Sequence, residues 1–325
     1  MKRFAVAVMA VLAASVAAGR SARAADPVPV TIVVFNPPSL GAVFPSVIKQ
    51  QKFDIANGLD ITFFERPPDA YAAQFNSGEF QVGGSASVLI LGLGATRGIK
   101  TSYLFNLFDY WGTVVTSHPE IKTLADLKGK QLAAAKGTTN YTMFAWLAKQ
   151  QGIDPESFQV VNTATPGLVG YAIAERADAV QLWEPAYTLV KAVMPQIHTI
   201  DLDIAKVWRD FAGGGTLPYL GVAAHQDWID AHRDLVAPLY RAYKQAAAWV
   251  MANPAAAAPL IASLKSDAER DAITALIKDN ARLALDLQPA GKIKKQIEAT
   301  YRAGIDVGLF KDMPPESSIY SGEME

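Results

Sequence analysis

Short runs rich in β-branched and aromatic residues alternate along the chain with longer stretches of helical periodicity. VTIVVF, GLDITFFE, FQVGG and IKTSYLFNL have the pattern of strands, and AVFPSVIKQQ, PDAYAAQFNSG and ASVLILGLGATRG, which lie between them, have that of helices. Strands separated by helices of about 10 to 15 residues are typical of βαβ units and a parallel sheet. The region up to residue 109 is therefore predicted to form one α/β unit.

The pattern restarts at Tyr110. YWGTVVTS, QLAAAK, FQVVNT and DAVQLW have the strand pattern, and the last three are followed by YTMFAWLAKQQG, PGLVGYAIAERA and PAYTLVKAVM, which have the helix pattern. YLGVAAH then predicts a returning strand, everything beyond it is predicted to be helical, and the end from Met313 to be loose. We predict an α/β fold of two lobes, each a doubly wound, mostly parallel sheet, with two strand crossings as a hinge.

The predicted domain bounds follow from these restarts. Lobe 1 comprises residues 25–109 and 220–325, and lobe 2 comprises residues 110–219. Residues 1–24 have the layout of a signal peptide, with Lys2 and Arg3, an apolar stretch and Ala22-Arg23-Ala24. We expect cleavage after Ala24 and an exported, periplasmic protein.

Composition excludes several classes of function. The chain has 325 residues, 30 of them basic and 31 acidic, so its formal net charge of −1 offers no basic field for nucleic acid. It has no cysteine, which removes thiolate nucleophiles, cysteine zinc sites and iron–sulfur clusters. Its four histidines lack zinc-binding spacing. We expect no metal, no cofactor and no nucleic-acid partner.

Five segments end a predicted strand and open a helix with small or polar residues. In a doubly wound sheet such turns meet at one edge, where helix N-termini bind anions without Lys or Arg. Helix capping alone is the competing interpretation of each turn. The candidate ligand-binding residues from these turns are Asn36, Ser39, Leu40, Ser85, Ala86, Ser87, Thr138, Thr139, Asn140, Tyr141, Pro166, Trp183 and Glu184.

Aromatic and acidic residues at the predicted lobe junctions form a second candidate group. Tyr110 and Trp111 are expected to form apolar cleft walls, with core or hinge packing as the alternative. Asp109 and Glu184 are the acids nearest the cleft. If either acid faces the cleft, the ligand is expected to carry an amine or another donor group. Otherwise the acid is expected to be solvated.

An enzyme is the competing class of function. Gly83-x-Ser85-x-Ser87 nearly matches a nucleophile elbow but lacks its last glycine, and no histidine is placed recognisably beyond it. A serine hydrolase that uses Ser85 is therefore a distant alternative. Gly137-Thr138-Thr139 lacks the lysine of a nucleotide-binding P-loop, which disfavours nucleotide hydrolysis.

Three runs resemble a known family: SGEFQVGGSAS, TLADLKGKQLAAAKGTTNYTMFAWLAKQQGID and ERADAVQLWEPA. They are similar to the periplasmic solute-binding proteins of ABC importers, in the branch for taurine, aliphatic sulfonates and nitrate, over about Val30 to His225. The resemblance implies a type II periplasmic binding protein fold and a monomer that delivers a small organic anion or zwitterion to an inner-membrane permease. It implies binding without catalysis.

The resemblance also assigns roles. It implies that Ser85, Ala86 and Ser87 hold the ligand from lobe 1, that Thr138, Thr139 and Tyr141 hold it from lobe 2, and that Trp183 lines the cleft. Glu184 departs from taurine-binding members, where a small residue stands between tryptophan and proline, and its carboxylate should repel a simple sulfonate. A thiamine-precursor pyrimidine, another aromatic heterocycle or an aromatic acid therefore stays open as ligand. A eukaryotic enzyme branch of the superfamily needs a cysteine-rich motif that this chain lacks.

Overall fold

A computed structural model describes residues 26–324, which form an α/β fold with two sheets. The strands are β1 Val28–Phe35, β2 Leu59–Arg66, β3 Val82–Ser87, β4 Thr101–Asp109, β5 Val114–Thr116, β6 Gln131–Ala134, β7 Gln159–Asn162, β8 Ala179–Gln181, β9 His198–Thr199, β10 Pro218–His225 and β11 Leu285–Pro289. The predicted signal peptide, residues 1–24, lies outside the described residues.

Thirteen α-helices and four short 3-10 helices connect the strands within residues 26–324. The α-helices are α1 Pro45–Gln51, α2 Phe53–Ala56, α3 Pro68–Asn76, α4 Val88–Thr96, α5 Thr139–Gln150, α6 Thr165–Ile173, α7 Ala186–Val193, α8 Ile204–Ala212, α9 Gln226–Ala231, α10 Arg233–Ala252, α11 Pro254–Ile261, α12 Asp267–Asp279 and α13 Lys294–Asp306. The 3-10 helices are Leu40–Ala42, Ala125–Leu127, Pro155–Ser157 and Glu316–Ser318. None of the described helices is long and apolar enough to span a membrane.

The first sheet has the strand order β11-β4-β10-β3-β1-β2. β1 pairs in parallel with β2 and β3, and β10 runs antiparallel to both β3 and β4, so β1 to β4 share one direction. Ile32, Val33 and Val34 in β1 are all fully buried. This continuous apolar run is expected for a strand that has helices packed on both faces of its sheet.

The second sheet has the order β7-β6-β8-β5-β9. β6 pairs in parallel with β7 and β8, whereas β5 runs antiparallel to β8 and β9. The chain enters this sheet between β4 and β5 and leaves it between β9 and β10, which are the two crossings of the hinge. The predicted two-lobed α/β fold is confirmed, and both of its sheets are mixed, since each contains parallel and antiparallel strand pairs. The lobe bounds at residues 109/110 and 219/220 stay a proposal.

Several predicted elements are wrong in detail. The region after β10 is not wholly helical, because β11 pairs antiparallel with β4 at the sheet edge. The end from Met313 is not loose: Ile319 bridges to Tyr103, and Ser318 and Met324 are buried. Helix α8 and strand β9 were not predicted.

The strand β3 is longer than predicted. Ser85, Ala86 and Ser87 form its last residues, whereas the sequence placed them in the turn after it. Pairing with the neighbouring strand explains the difference, since Ala86 lies opposite Gly221 and Ser87 opposite Leu220 of β10. A strand partner that is more than 130 residues away in sequence cannot be inferred from local periodicity.

Candidate functional site

A cavity of about 430 Å³, here called the main cavity, lies where the two lobes meet. It is bounded by the loop after β1, by β3, α3 and α4 from lobe 1, and by the first turns of α5 and α6 from lobe 2. Eleven of the residues proposed from the sequence line it: Asn36, Ser39, Leu40, Ser85, Ala86, Ser87, Thr138, Thr139, Asn140, Pro166 and Trp183.

Apolar and aromatic side chains that the sequence did not single out make up much of the remaining lining. They include Phe35, Tyr71, Phe75, Ile90, Leu91, Leu168 and Val169. One signal for them existed in the sequence, because Tyr71 and Phe75 are four residues apart and therefore share one face of α3. Helix α4 is apolar on all sides, so no pattern distinguishes its cavity-facing residues from its core residues.

The start of α5 is a regular N-cap. Thr138 has an extended backbone, and its Oγ1 accepts a hydrogen bond from the Tyr141 backbone N–H at 3.3 Å. The same hydroxyl donates to the Ala135 carbonyl at 2.8 Å. Capping therefore occupies the Thr138 side chain, although the residue lines the cavity.

Two hydrogen bonds cross the cavity from one lobe to the other. Thr139 Oγ1 in α5 donates to Ser87 Oγ in β3 at 2.9 Å. Trp183 Nε1, which follows β8, donates to the Pro38 carbonyl after β1 at 2.5 Å. These bonds hold the lobes against each other around the main cavity.

Ser85 and Ser39 show that lobe 1 is closely packed on its side of the main cavity. Ser85 is fully buried, and its Oγ accepts a hydrogen bond from the Phe35 backbone N–H at 2.8 Å. A Cβ at Gly41 would lie 2.1 Å from that oxygen, so the chain passes there without room for a side chain. Ser39 Oγ is shielded from solvent and has no hydrogen-bond partner within the described chain.

The other five proposed residues do not line the main cavity. Tyr110 is buried, and its hydroxyl donates to the Asn140 carbonyl at 3.2 Å. Tyr141 lies on the other side of α5, in a surface groove beside Asp306. Thr139 and Asn140 precede Tyr141 by two residues and by one, so their side chains project from other sides of α5.

Asp109, Trp111 and Glu184 surround a separate cavity of about 10 Å³ behind the main one. Glu184 Oε1 lies 3.0 Å from Nε of Arg282, which comes from the C-terminal helical region. The Thr188 backbone N–H donates to Glu184 Oε2 at 3.2 Å, and Arg282 Nη2 donates to Thr188 Oγ1 at 3.3 Å. We call Asp109, Glu184 and Arg282 the ionic cluster.

Burial governs the ionisation of both acids. It raises the pKa of Glu184, although the Arg282 guanidinium and Thr188 act in the opposite direction. Burial, and then the nearby Asp286 carboxylate, raise the pKa of Asp109 to about 7. Asn106 Nδ2 donates to Asp109 Oδ1 at 3.0 Å and opposes that shift.

The geometry gives no support to hydrolysis or metal chemistry. No histidine is found among the residues that line the main cavity in residues 26–324. The described residues contain no group of three or more His, Asp and Glu side chains that is arranged to hold a metal ion. What the arrangement offers is an enclosed, mainly apolar binding space.

Comparison with known protein families gives a match over more than half of the chain. A family model described as NMT1/THI5 like matches residues 50–257. A search of curated proteins finds no match.

Solved structures of similar shape are numerous. The alkanesulfonate-binding protein SsuA from Xanthomonas axonopodis pv. citri has a TM-score of 0.72 at 17% identity, with 91% of this chain and 99% of that chain covered. The aliphatic sulphonate binding protein SsuA from Escherichia coli has a TM-score of 0.68 at 16% identity, covering 89% and 96%. The Candida albicans CA3427 gene product, which exhibits the generic periplasmic binding protein fold, has 0.65 at 17%, covering 92% and 97%. At these identities the likeness establishes the fold.

Proposed function

The chain belongs to the NMT1/THI5-like family, and from that premise we propose that it is the solute-binding component of an ABC import system. It captures a small organic molecule between its lobes and delivers it to a membrane permease, without making or breaking a bond. The observation that carries this proposal is the main cavity of about 430 Å³ at the lobe junction, closed by hydrogen bonds from both sides. That volume falls in the range of roughly 300–1,000 Å³ usual for small-molecule sites.

Two ligand classes follow from the sequence and the neighbours. The names of two similar proteins refer to alkanesulfonates and aliphatic sulphonates, which supports a taurine- or sulfonate-like ligand. Phe35, Phe75 and Trp183 in the lining support the second class, an aromatic heterocycle or aromatic acid, because rings pack well against flat apolar bodies. The other lining residues that the sequence singled out are also proposed to contact the ligand, namely Asn36, Ser39, Leu40, Ser85, Ala86, Ser87, Thr138, Thr139, Asn140 and Pro166.

Residues outside the lining receive a different proposed role. Asp109, Glu184 and Trp111 surround the smaller cavity, so we assign them to the contact between the lobes and not to ligand binding. Export through cleavage after Ala24, a periplasmic location and a monomeric state complete the proposal. A hydrolase that uses Ser85 is the alternative, and a Ser85→Ala variant that removes turnover of an ester would favour it.

Thermal unfolding of the mature chain against a small-molecule library tests the proposal. A ligand at 100 times its Kd stabilises the folded state by about 2.7 kcal/mol. Ala72→Trp on α3 places an indole in the main cavity, whereas Ala73→Trp places one on the exposed side of the same helix. We expect the first variant to lose the ligand-induced shift and the second to keep it.

Two results would contradict the proposal. One is that the Ala72→Trp variant retains a ligand-induced shift equal to that of Ala73→Trp. The other is that no compound stabilises the chain and native mass spectrometry finds no small molecule bound to it.

A further inference from the structure

The lining of the main cavity carries almost no charge. Among residues 26–324, no lysine, arginine or histidine lines it, and its one acid, Asp69, is exposed to solvent. The tyrosines that line it are neutral, since burial raises the pKa of Tyr219 to about 12 and that of Tyr71 further. An anion bound inside would have no described counter-charge, and a cation would have only the exposed Asp69 carboxylate.

Three side-chain donors at the start of α5 that could serve an anion are already engaged. Thr139 Oγ1 donates to Ser87 Oγ, and Thr138 Oγ1 donates to the Ala135 carbonyl. Asn140 Nδ2 donates to the Leu182 carbonyl at 2.8 Å. An anion that took these donors would have to break the N-terminal structure of α5 or the bond between the lobes.

The Arg282 guanidinium, which lines the small cavity, is also engaged. Four residues line both cavities and form their shared wall: Leu40, Asn140, Trp183 and Tyr219. Arg282 Nε is paired with the buried Glu184 carboxylate at 3.0 Å. Moving Arg282 toward a ligand would leave the buried Glu184 carboxylate without its cationic partner, which is strongly unfavourable.

The expected contributions to affinity disfavour a charged ligand. The N-terminal dipole of α5 can contribute at most about thirty-fold in affinity to a bound anion. Burying an ion without a partner costs on the order of a thousand-fold or more. The helix end alone does not compensate for that loss, but it suits a neutral carbonyl or ring nitrogen.

Two neutral hydroxyls of the cavity lining lack a hydrogen-bond partner within the described chain. They are Ser39 Oγ and Tyr71 Oη, and both are shielded from solvent. Phe35, Phe75 and Leu91 supply apolar walls around the same space. On the premise of the proposed binding function, we infer that the ligand is an uncharged molecule with an apolar body and a neutral polar group, such as an amide, ketone, alcohol or neutral heterocycle.

Matched probes test this inference. Benzamide, benzoate, benzenesulfonate and benzylamine share a ring and differ in headgroup charge, and taurine adds a small zwitterion. Calorimetry and thermal shift on the mature chain should rank benzamide first, about ten-fold or more tighter than either anion. The affinity for benzamide should change less than about two-fold between low and high salt, because no ion pair forms.

A charge introduced into the lining gives a second readout. Ile90 lines the main cavity from α4 and is partly exposed, so Ile90→Lys adds a cation there, and Ile90→Gln is the uncharged control. We expect Ile90→Lys to bind benzamide more weakly than Ile90→Gln and to gain affinity for benzenesulfonate. Folding of both variants is checked by thermal unfolding without ligand.

The outcomes separate the inference from the proposed function. If benzenesulfonate, benzoate, benzylamine or taurine binds the unaltered chain more tightly than benzamide, the inference is overturned and the binding function stands. If no probe binds and native mass spectrometry of the purified chain finds no small molecule, the binding function is overturned as well. If native mass spectrometry finds a bound molecule, an uncharged molecule supports the inference and a charged molecule overturns it.

Discussion

The main cavity and the ionic cluster share a wall but have opposite chemistry. The main cavity is lined by rings, aliphatic side chains and neutral hydroxyls, whereas Asp109, Glu184 and Arg282 gather behind Trp183. Both lie between the lobes. The comparison indicates that charge in this protein contributes to contact between the lobes, while the ligand space is kept neutral.

The largest expected effect comes from breaking the ion pair. Arg282→Met leaves the Glu184 carboxyl buried without its partner, and we expect the free energy of unfolding at pH 7 to fall by roughly 2–4 kcal/mol, allowing for the partial exposure of Arg282. Chemical denaturation measures this loss. Lys206→Met, which breaks an exposed pair with Asp210, should cost under about 1 kcal/mol.

A double variant sharpens that test. Glu184→Gln with Arg282→Met removes both charges, and we expect it to recover most of the stability lost in the single variant. Equal losses in the single and double variants would show that packing, and not the unpaired charge, causes the effect.

The next largest effect is expected at the wall shared by the two cavities, and chiefly on ligand affinity. Trp183→Phe removes the bond to the Pro38 carbonyl and part of the cavity wall, so the Kd of an identified ligand should rise about 10- to 100-fold. Calorimetry measures that change. Trp111→Phe is the control, because Trp111 lines the small cavity only, and it should change the Kd by less than about three-fold.

The pH dependence of the stability of an Asp109→Asn variant tests the ionic cluster. The folded-state pKa of Asp109, about 7, lies above its ordinary value of 3.8, so the folded state holds a proton that the unfolded state releases between these values. The contribution of Asp109 to stability is therefore present below pH 4 and is lost as the pH rises toward 7. We expect the variant to gain stability relative to the unaltered chain from pH 5 to pH 8, on the order of 1–2 kcal/mol.

Denaturation curves at several pH values measure that difference. Asp69→Asn is the control, because Asp69 is exposed, and it should show no comparable trend. A stability difference for Asp109→Asn that stays constant from pH 5 to pH 8 would contradict a raised pKa.

The smallest effect is expected at the hydrogen bond across the cavity. Thr139→Val keeps the shape but removes the donor to Ser87 Oγ, and we expect ligand affinity to fall about three- to ten-fold. Stopped-flow binding should place the change in the dissociation rate, since the bond closes the lobes. Thr142→Val removes a hydroxyl that bonds within α5, to the Thr138 carbonyl, and should leave ligand affinity unchanged.

Local patterns predicted the elements around the site better than its chemistry. Capping was the competing interpretation of the turn before α5, and the structure shows Thr138 as the N-cap of that helix. Tyr71 and Phe75 were missed as lining residues, because an apolar pair on one helix face packs equally well in a core. The edge strand β11 was missed, since LDLQP is short and polar and is paired only through β4.

Asp109 and Glu184 show the same limit of prediction from local sequence patterns. Asp109 and Glu184 were proposed as partners of a ligand amine because they are the acids nearest the predicted cleft. Their side chains instead reach the small cavity, where Arg282, about 100 residues beyond Glu184, meets Glu184. A partner so distant in sequence leaves no periodic signal.

The sequence by itself determined the alternation of strands and helices, the restart near Tyr110 and the polar turns at strand ends, because each depends on neighbours within a few residues. The tertiary structure decided which of those turns meet, that Ser85 to Ser87 extend β3, and that the charges gather behind the cavity and not in it. The physical reason is that strand pairing and side-chain burial depend on contacts between segments far apart in the chain, which local periodicity does not encode.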